Sequence, residues 1–98
     1  MAKAYWVVQI DVTDPEAYQA YVQANALPLR KFGARFLVRG GQREVVEGQC
    51  RSRLVVIEFK DYATALDCYR SPEYAAAMAL RRGAAVADFV IVEGHDGP

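Results

Sequence analysis

The chain has 98 residues, enough for one domain that buries about 65% of its unfolded surface, and its 12 basic and 12 acidic side chains cancel to zero formal charge. A role in tracking phosphates or coating anionic lipid would need a basic stripe, whereas the only adjacent basic pairs here are Arg30-Lys31 and Arg81-Arg82. No charged-then-apolar leader opens the chain and no apolar run nears the roughly 20 residues that cross a bilayer. A cytoplasmic protein with no nucleic-acid or membrane partner is expected. Cys50 and Cys68 lack the close spacing of a redox or zinc pair, so both are read as free thiols.

The first predicted strand is Ala4–Val12 (AYWVVQIDV), one parity of which gives Ala4, Trp6, Val8, Ile10 and the other Tyr5, Val7, Gln9, Asp11. Asp14 then offers an N-cap, Pro15 a first helical position and Glu16 a charge that suits the helix dipole. The helix carries an apolar stripe at Tyr18, Tyr21, Val22, Leu29 and Phe32, with a kink or restart expected at Pro28 and an end at Gly33. Residues 34–38 (ARFLV) form a second strand. Gly40-Gly41 permit positive φ and mark either a hairpin or, the favoured reading, a bulge that bends one long strand on through a β-prone segment at 44–47.

Arg53–Phe59 (RLVVIEF) is the next strand, with Leu54 and Val56 opposed to Val55, Ile57 and Phe59. Asp61 caps a helix that carries Ala65, Leu66 and Tyr69 on one face. Ser71, Pro72 and Glu73 repeat the start signal at once, and this second helix ends at Gly83. A last strand at about 86–93 precedes a polar tail, so a single domain spans 1–94 and residues 95–98 are a tail.

The order β-α-β-(β)-β-α-α-β is the α+β, ferredoxin-like split βαβ plan, an antiparallel sheet with helices on one face. Strands of a sheet wet on one side alternate apolar and polar. Three of these strands are apolar on both sides, and the helices can cover only one. The other face therefore predicts a second copy of the chain, two sheets packed face to face.

Several strings carry a resemblance: Tyr5-Trp6-Val7, Asp11-Val12-Thr13-Asp14-Pro15, GARFLVRGG at 33–41, Val56-Ile57-Glu58-Phe59, Tyr69-Arg70-Ser71-Pro72-Glu73-Tyr74, Leu80-Arg81 and Val90-Ile91-Val92-Glu93-Gly94. Together they resemble the bacterial domain-of-unknown-function family 1330 over nearly the whole chain. The resemblance implies membership of the dimeric α+β barrel superfamily, the same dimer that the strand parity suggests. Relatives there include cofactor-free monooxygenases, muconolactone isomerases and haem-dependent enzymes. The family has no established reaction, so no catalytic residue is carried over.

Chemistry must therefore be sought in the residues themselves. Arg39, at a strand end beside two glycines, could meet an anion or simply pair with Glu44 or Glu58. Arg81 shares a helical stripe with Tyr74, Ala77 and Met78, and could hold a carboxylate or merely complement the dipole. Tyr69, Tyr74 and Tyr5, with Tyr18 and Tyr21 beside them, could line a small-molecule pocket or anchor packing. Glu58, between Ile57 and Phe59, is the candidate general base if buried, with an Arg53 or Arg39 ion pair as the plainer alternative. His95, the only histidine, falls in the tail and is read as solvated, which leaves no histidine for a triad, a metal or haem. No cofactor and no metal are expected. The reading is a homodimer that binds a small anionic or aromatic metabolite between sheet and helices. The alternatives are a cofactor-independent oxygenase- or isomerase-like enzyme and a structural dimer without ligand.

Overall fold

The computed structural model describes residues 2–97. Its elements run β1 (Ala4–Val12), α1 (Pro15–Ala24), α2 (Ala26–Lys31), β2 (Arg35–Arg39), β3 (Arg53–Phe59), α3 (Tyr62–Tyr69), α4 (Pro72–Arg81) and β4 (Ala85–Glu93). The strands form one sheet in the order β2-β3-β1-β4, antiparallel at every junction. This is the expected ferredoxin-like plan.

The caps are those the sequence announces. Asp14 accepts from the Ala17 amide and Asp61 from the Thr64 amide. Ser71 accepts from the Tyr74 amide at 3.1 Å while donating to the Cys68 carbonyl at 2.7 Å, so one hydroxyl turns the chain from α3 into α4. The break in the first helix falls at Asn25, ahead of Pro28, which lies inside α2. Its missing N–H is there one of the amides that a helix start leaves unpaired in any case.

One parity of each long strand faces the helices. Ala4, Trp6, Val8 and Ile10 of β1 and Val55, Ile57 and Phe59 of β3 are all buried, and Ala85, Ala87, Phe89 and Ile91 of β4 are half-buried beside them. Trp6 is the hub. It packs against Phe59, Tyr69, Tyr74 and Phe89 and donates its indole N–H to the Ala65 carbonyl at 3.0 Å, tying β1 to α3. The opposite parity has no helix over it. Tyr5, Val7, Leu54 and Val56 stand half-buried there, and Val86, Val90 and Val92 are exposed.

The strand after α2 departs from expectation. β2 ends at Arg39 and residues 44–47 form no strand. The register slips at Leu37, between Phe36↔Ile57 and Val38↔Val56, so the bulge lies within β2 and not at Gly40-Gly41. Gly40, at φ 68°, instead turns the chain out of the sheet. Residues 40–52 then close on themselves, with Arg43 donating to the Arg51 and Ser52 carbonyls. At the edge of the sheet, 44–47 has no neighbouring strand with which to pair, and β-propensity without a partner does not make a strand.

The slip has a large effect for one residue. Because successive side chains alternate faces, a one-residue insertion reverses every position beyond it. Arg39 is thereby set opposite Val55, on the helix-covered parity.

Candidate functional site

A small, partly open cavity lies between α1 and the sheet. Trp6, Val8 and Ile10 of β1, Val55 and Ile57 of β3, Phe36 of β2 and Phe89 of β4 line the sheet side; Tyr18, Tyr21, Val22 and Asn25 line the helix side; Arg39 and Arg53 stand at the edge. Its volume is about 30 Å³. That exceeds the roughly 10–15 Å³ a water needs and falls well short of the ~300 Å³ of an ordinary ligand site. A ligand-sized volume adjoins it as an open groove of about 500 Å³, which shares Tyr18, Val22, Arg39 and Arg53 with the cavity and adds Val12, Pro15 and Gln19. Groove and cavity are thus one cleft with two arginines where they meet.

Arg39, an exposed side chain, sets its guanidinium carbon 4.3 Å from the Phe36 ring centroid, a cation–π contact. Arg53, on the helix-covered parity of β3 opposite Ile10, lies against the backbone of Gly40, where a β-carbon would stand 2.7 Å from Arg53 Nη1. Glycine at that position serves both the positive φ and the guanidinium beside it. Arg53 Nε is buried and has no hydrogen-bond partner, and an unpaired buried donor costs ~1–3 kcal/mol. Among the described residues no Asp or Glu lines the cavity or groove, and none forms an ion pair with Arg39 or Arg53. The edge of the cleft is therefore cationic without an internal counter-charge.

Behind it stands a stiff aromatic wall. The Tyr21 and Tyr74 hydroxyls bond to one another at 2.7 Å in the interior. Burial pushes the Tyr74 phenol far above its usual range, with Tyr21 adding to the effect. Burial also raises the Tyr18 phenol, as does Tyr21, against the opposing charges of Arg53 and Arg81. Both phenols stay protonated at neutral pH and can donate. Cys68 is fully buried and its thiol is pushed up to about 12, chiefly by burial, which leaves it inert.

The residues singled out from sequence are divided by the sheet. Arg39 reaches the cleft. Arg81 lies against the wall, its guanidinium carbon 5.2 Å from the Tyr21 ring and 5.7 Å from Phe89 and its Nη1 buried without a hydrogen-bond partner, and it borders a separate surface groove with Met78, Arg82 and Gly83. Tyr74 is 0% exposed within the wall, and Tyr69 packs on Trp6 and donates to Met78 Sδ. Tyr5 and Glu58 are cross-strand neighbours on the opposite, helix-free face, where Lys3 Nζ reaches Glu58 Oε1 at 3.3 Å. The face alternation rules out the Arg39–Glu58 and Arg53–Glu58 pairs weighed above. Arg53 was read only as an ion-pair partner, although it shares the parity of Val55, Ile57 and Phe59. That signal places it under the helices.

Among the described residues no group of three or more His, Cys, Asp or Glu side chains is arranged to hold a metal, and no helix is long and apolar enough to cross a membrane.

The chain belongs to the family described as Domain of unknown function (DUF1330), which matches residues 3–95. No curated protein is similar enough in sequence to count as a match. Among solved structures it is similar to a protein of unknown function from Rhodopseudomonas palustris, at 16% identity and TM-score 0.77, covering 98% of this chain and 85% of that one. It is also similar to SnoaB, a cofactor-independent oxygenase from Streptomyces nogalater, at 11% identity and TM-score 0.65, over 99% and 97% of the two chains. A third is a dimeric protein of unknown function and ferredoxin-like fold from Bacteroides fragilis, at 12% identity and TM-score 0.62, over 96% and 98%. At such identities these likenesses establish the fold alone.

Proposed function

We propose that the protein is a cytoplasmic homodimer that binds a small anionic or aromatic metabolite in the cleft between α1 and the sheet. The observation that carries the reading is the pair of guanidinium groups, Arg39 and Arg53, at the edge of an aromatic-lined cleft with no acid among its described lining. Self-association is supported by the helix-free face, where exposed Val86, Val90 and Val92 continue the half-buried Tyr5, Val7, Leu54 and Val56. An exposed apolar sheet face is what a partner sheet covers. The dimeric Bacteroides fragilis neighbour lends that reading weight.

A second reading, a cofactor-independent oxygenase- or isomerase-like enzyme, is favoured by the SnoaB likeness. In it Glu58 would be the proton acceptor. Since Glu58 and Tyr5 occupy the helix-free face, that chemistry would take place between two sheets and not in the cleft.

Native mass spectrometry of protein purified from its own host tests both parts. A dimer that releases a small molecule on denaturation is the expected result; a bare monomer would remove the proposal.

A further inference from the structure

The cleft has a direction. Its interior is made of flat rings, Trp6, Tyr18, Phe36 and Phe89, while its two cations stand together where the cavity meets the open groove. Two details show that this cationic end is constructed. A guanidinium presents a carboxylate with two parallel N–H donors, and Nε is one of the two on its most commonly used edge. In Arg53 that atom is buried and unpartnered. The space for the guanidinium exists because residue 40 lacks a side chain: a β-carbon there would fall 2.7 Å from Nη1 and 3.0 Å from Cζ. Arg39, its guanidinium carbon 4.3 Å from the Phe36 ring centroid, supplies a second charge. The bulge at Leu37 is what sets it on the same face as Arg53.

Resting on the cleft-binding reading above, we infer that the ligand is a single-ring aromatic carboxylate. Its carboxylate is held by Arg53 with Arg39 beside it, and its ring lies in the groove against Tyr18 and Val22. Arg53 is the residue that sets preference for the acid, and Gly40 is a positioning residue that acts through it.

The test uses matched probes: benzoate, phenylacetate and cinnamate against benzamide, phenylacetamide and cinnamamide. The readouts are isothermal calorimetry and the emission of Trp6, the chain's only tryptophan, which borders the cavity. At least one acid should bind ten-fold or more tightly than its amide. Arg53→Lys, which keeps the charge and loses the planar guanidinium, should remove most of that preference by weakening the acid far more than the amide. Gly40→Ala should do the same by displacing the guanidinium, and circular dichroism checks that both variants fold. If acids and amides bind alike and Arg53→Lys changes neither, the inference is overturned and the cleft-binding reading stands. If no probe binds or alters Trp6 emission, the cleft-binding reading itself fails and the inference with it.

Discussion

The Tyr21–Tyr74 hydroxyl pair is where a small perturbation gives the most information, because the two phenols are buried to different degrees. Tyr74 is 0% exposed and Tyr21 6%, and Tyr21 borders the cavity whereas Tyr74 does not. Removing one hydroxyl leaves its partner unsatisfied at ~1–3 kcal/mol, while removing both is nearly neutral. Tyr74→Phe leaves the Tyr21 hydroxyl beside a space of about 30 Å³, enough for a water to replace the lost bond, so its cost should be near ~1 kcal/mol. Tyr21→Phe leaves the hydroxyl of the fully buried Tyr74 without its partner, and should cost ~2–3 kcal/mol. For a domain of this size each kcal/mol moves Tm by about 4–8 °C. The double variant should be no less stable than Tyr21→Phe alone, a coupling of about 1 kcal/mol or more. Urea unfolding at fixed protein concentration reads all three. Additive losses, or Tyr74→Phe costing more than Tyr21→Phe, would refute the assignment of the pair as a dry bond at the cavity wall.

Other consequences are simpler. Val90→Asp places a charge on the helix-free face at a residue 56% exposed, so sedimentation should show loss of the dimer while the protomer keeps its fold. Unchanged dimer mass would argue against that interface. A thiol reagent at pH 8 should modify one cysteine per native chain, Cys50, and two after unfolding, since burial raises Cys68 to about 12; fast modification of two in the native state would contradict that packing. Asp11 is held below its ordinary 3.8 by hydrogen bonds from the Ser52 amide and from Arg51, and Asp61 is lowered by Thr64. A lowered folded-state value adds stability that is fully present above about pH 3.8 and is lost as pH falls through the folded value. Asp11→Asn should lower stability by a constant amount above about pH 3.8, the difference from the unsubstituted protein shrinking as pH falls through the folded value; a difference that persists undiminished in acid would contradict the linkage.

Much of this architecture is written in local signals. The three caps at Asp14, Asp61 and Ser71 fix the helix starts because each offers a short side-chain acceptor just ahead of Pro or an apolar periodic run. The two-sided apolar character of β1, β3 and β4 likewise follows from composition alone. The site is harder to read because it depends on parity. Phe36, Leu37 and Val38 are all apolar, so no change of residue type shows which is the extra one. Only pairing with β3 reveals that Leu37 is absorbed and Arg39 turns under the helices. The φ freedom of Gly40-Gly41 points to a bulge there, yet Gly40 turns the chain out of the sheet and leaves room for Arg53. The opposite placement of Glu58 and Arg53 was legible, since they lie five residues apart in a strand without a slip and so fall on different faces.

In the proposed function the two faces of one sheet have two tasks, ligand binding under α1 and self-association on the helix-free side. Methyl-resolved NMR separates them in one titration. Added aromatic carboxylate should shift Val22, Val55 and Ile57, which border the cleft, while dilution shifts Val7, Val56 and Val90 of the other face. Ligand-dependent shifts confined to Val7, Val56 and Val90, with the cleft methyls unmoved, would contradict it and move the site to Glu58 and Tyr5.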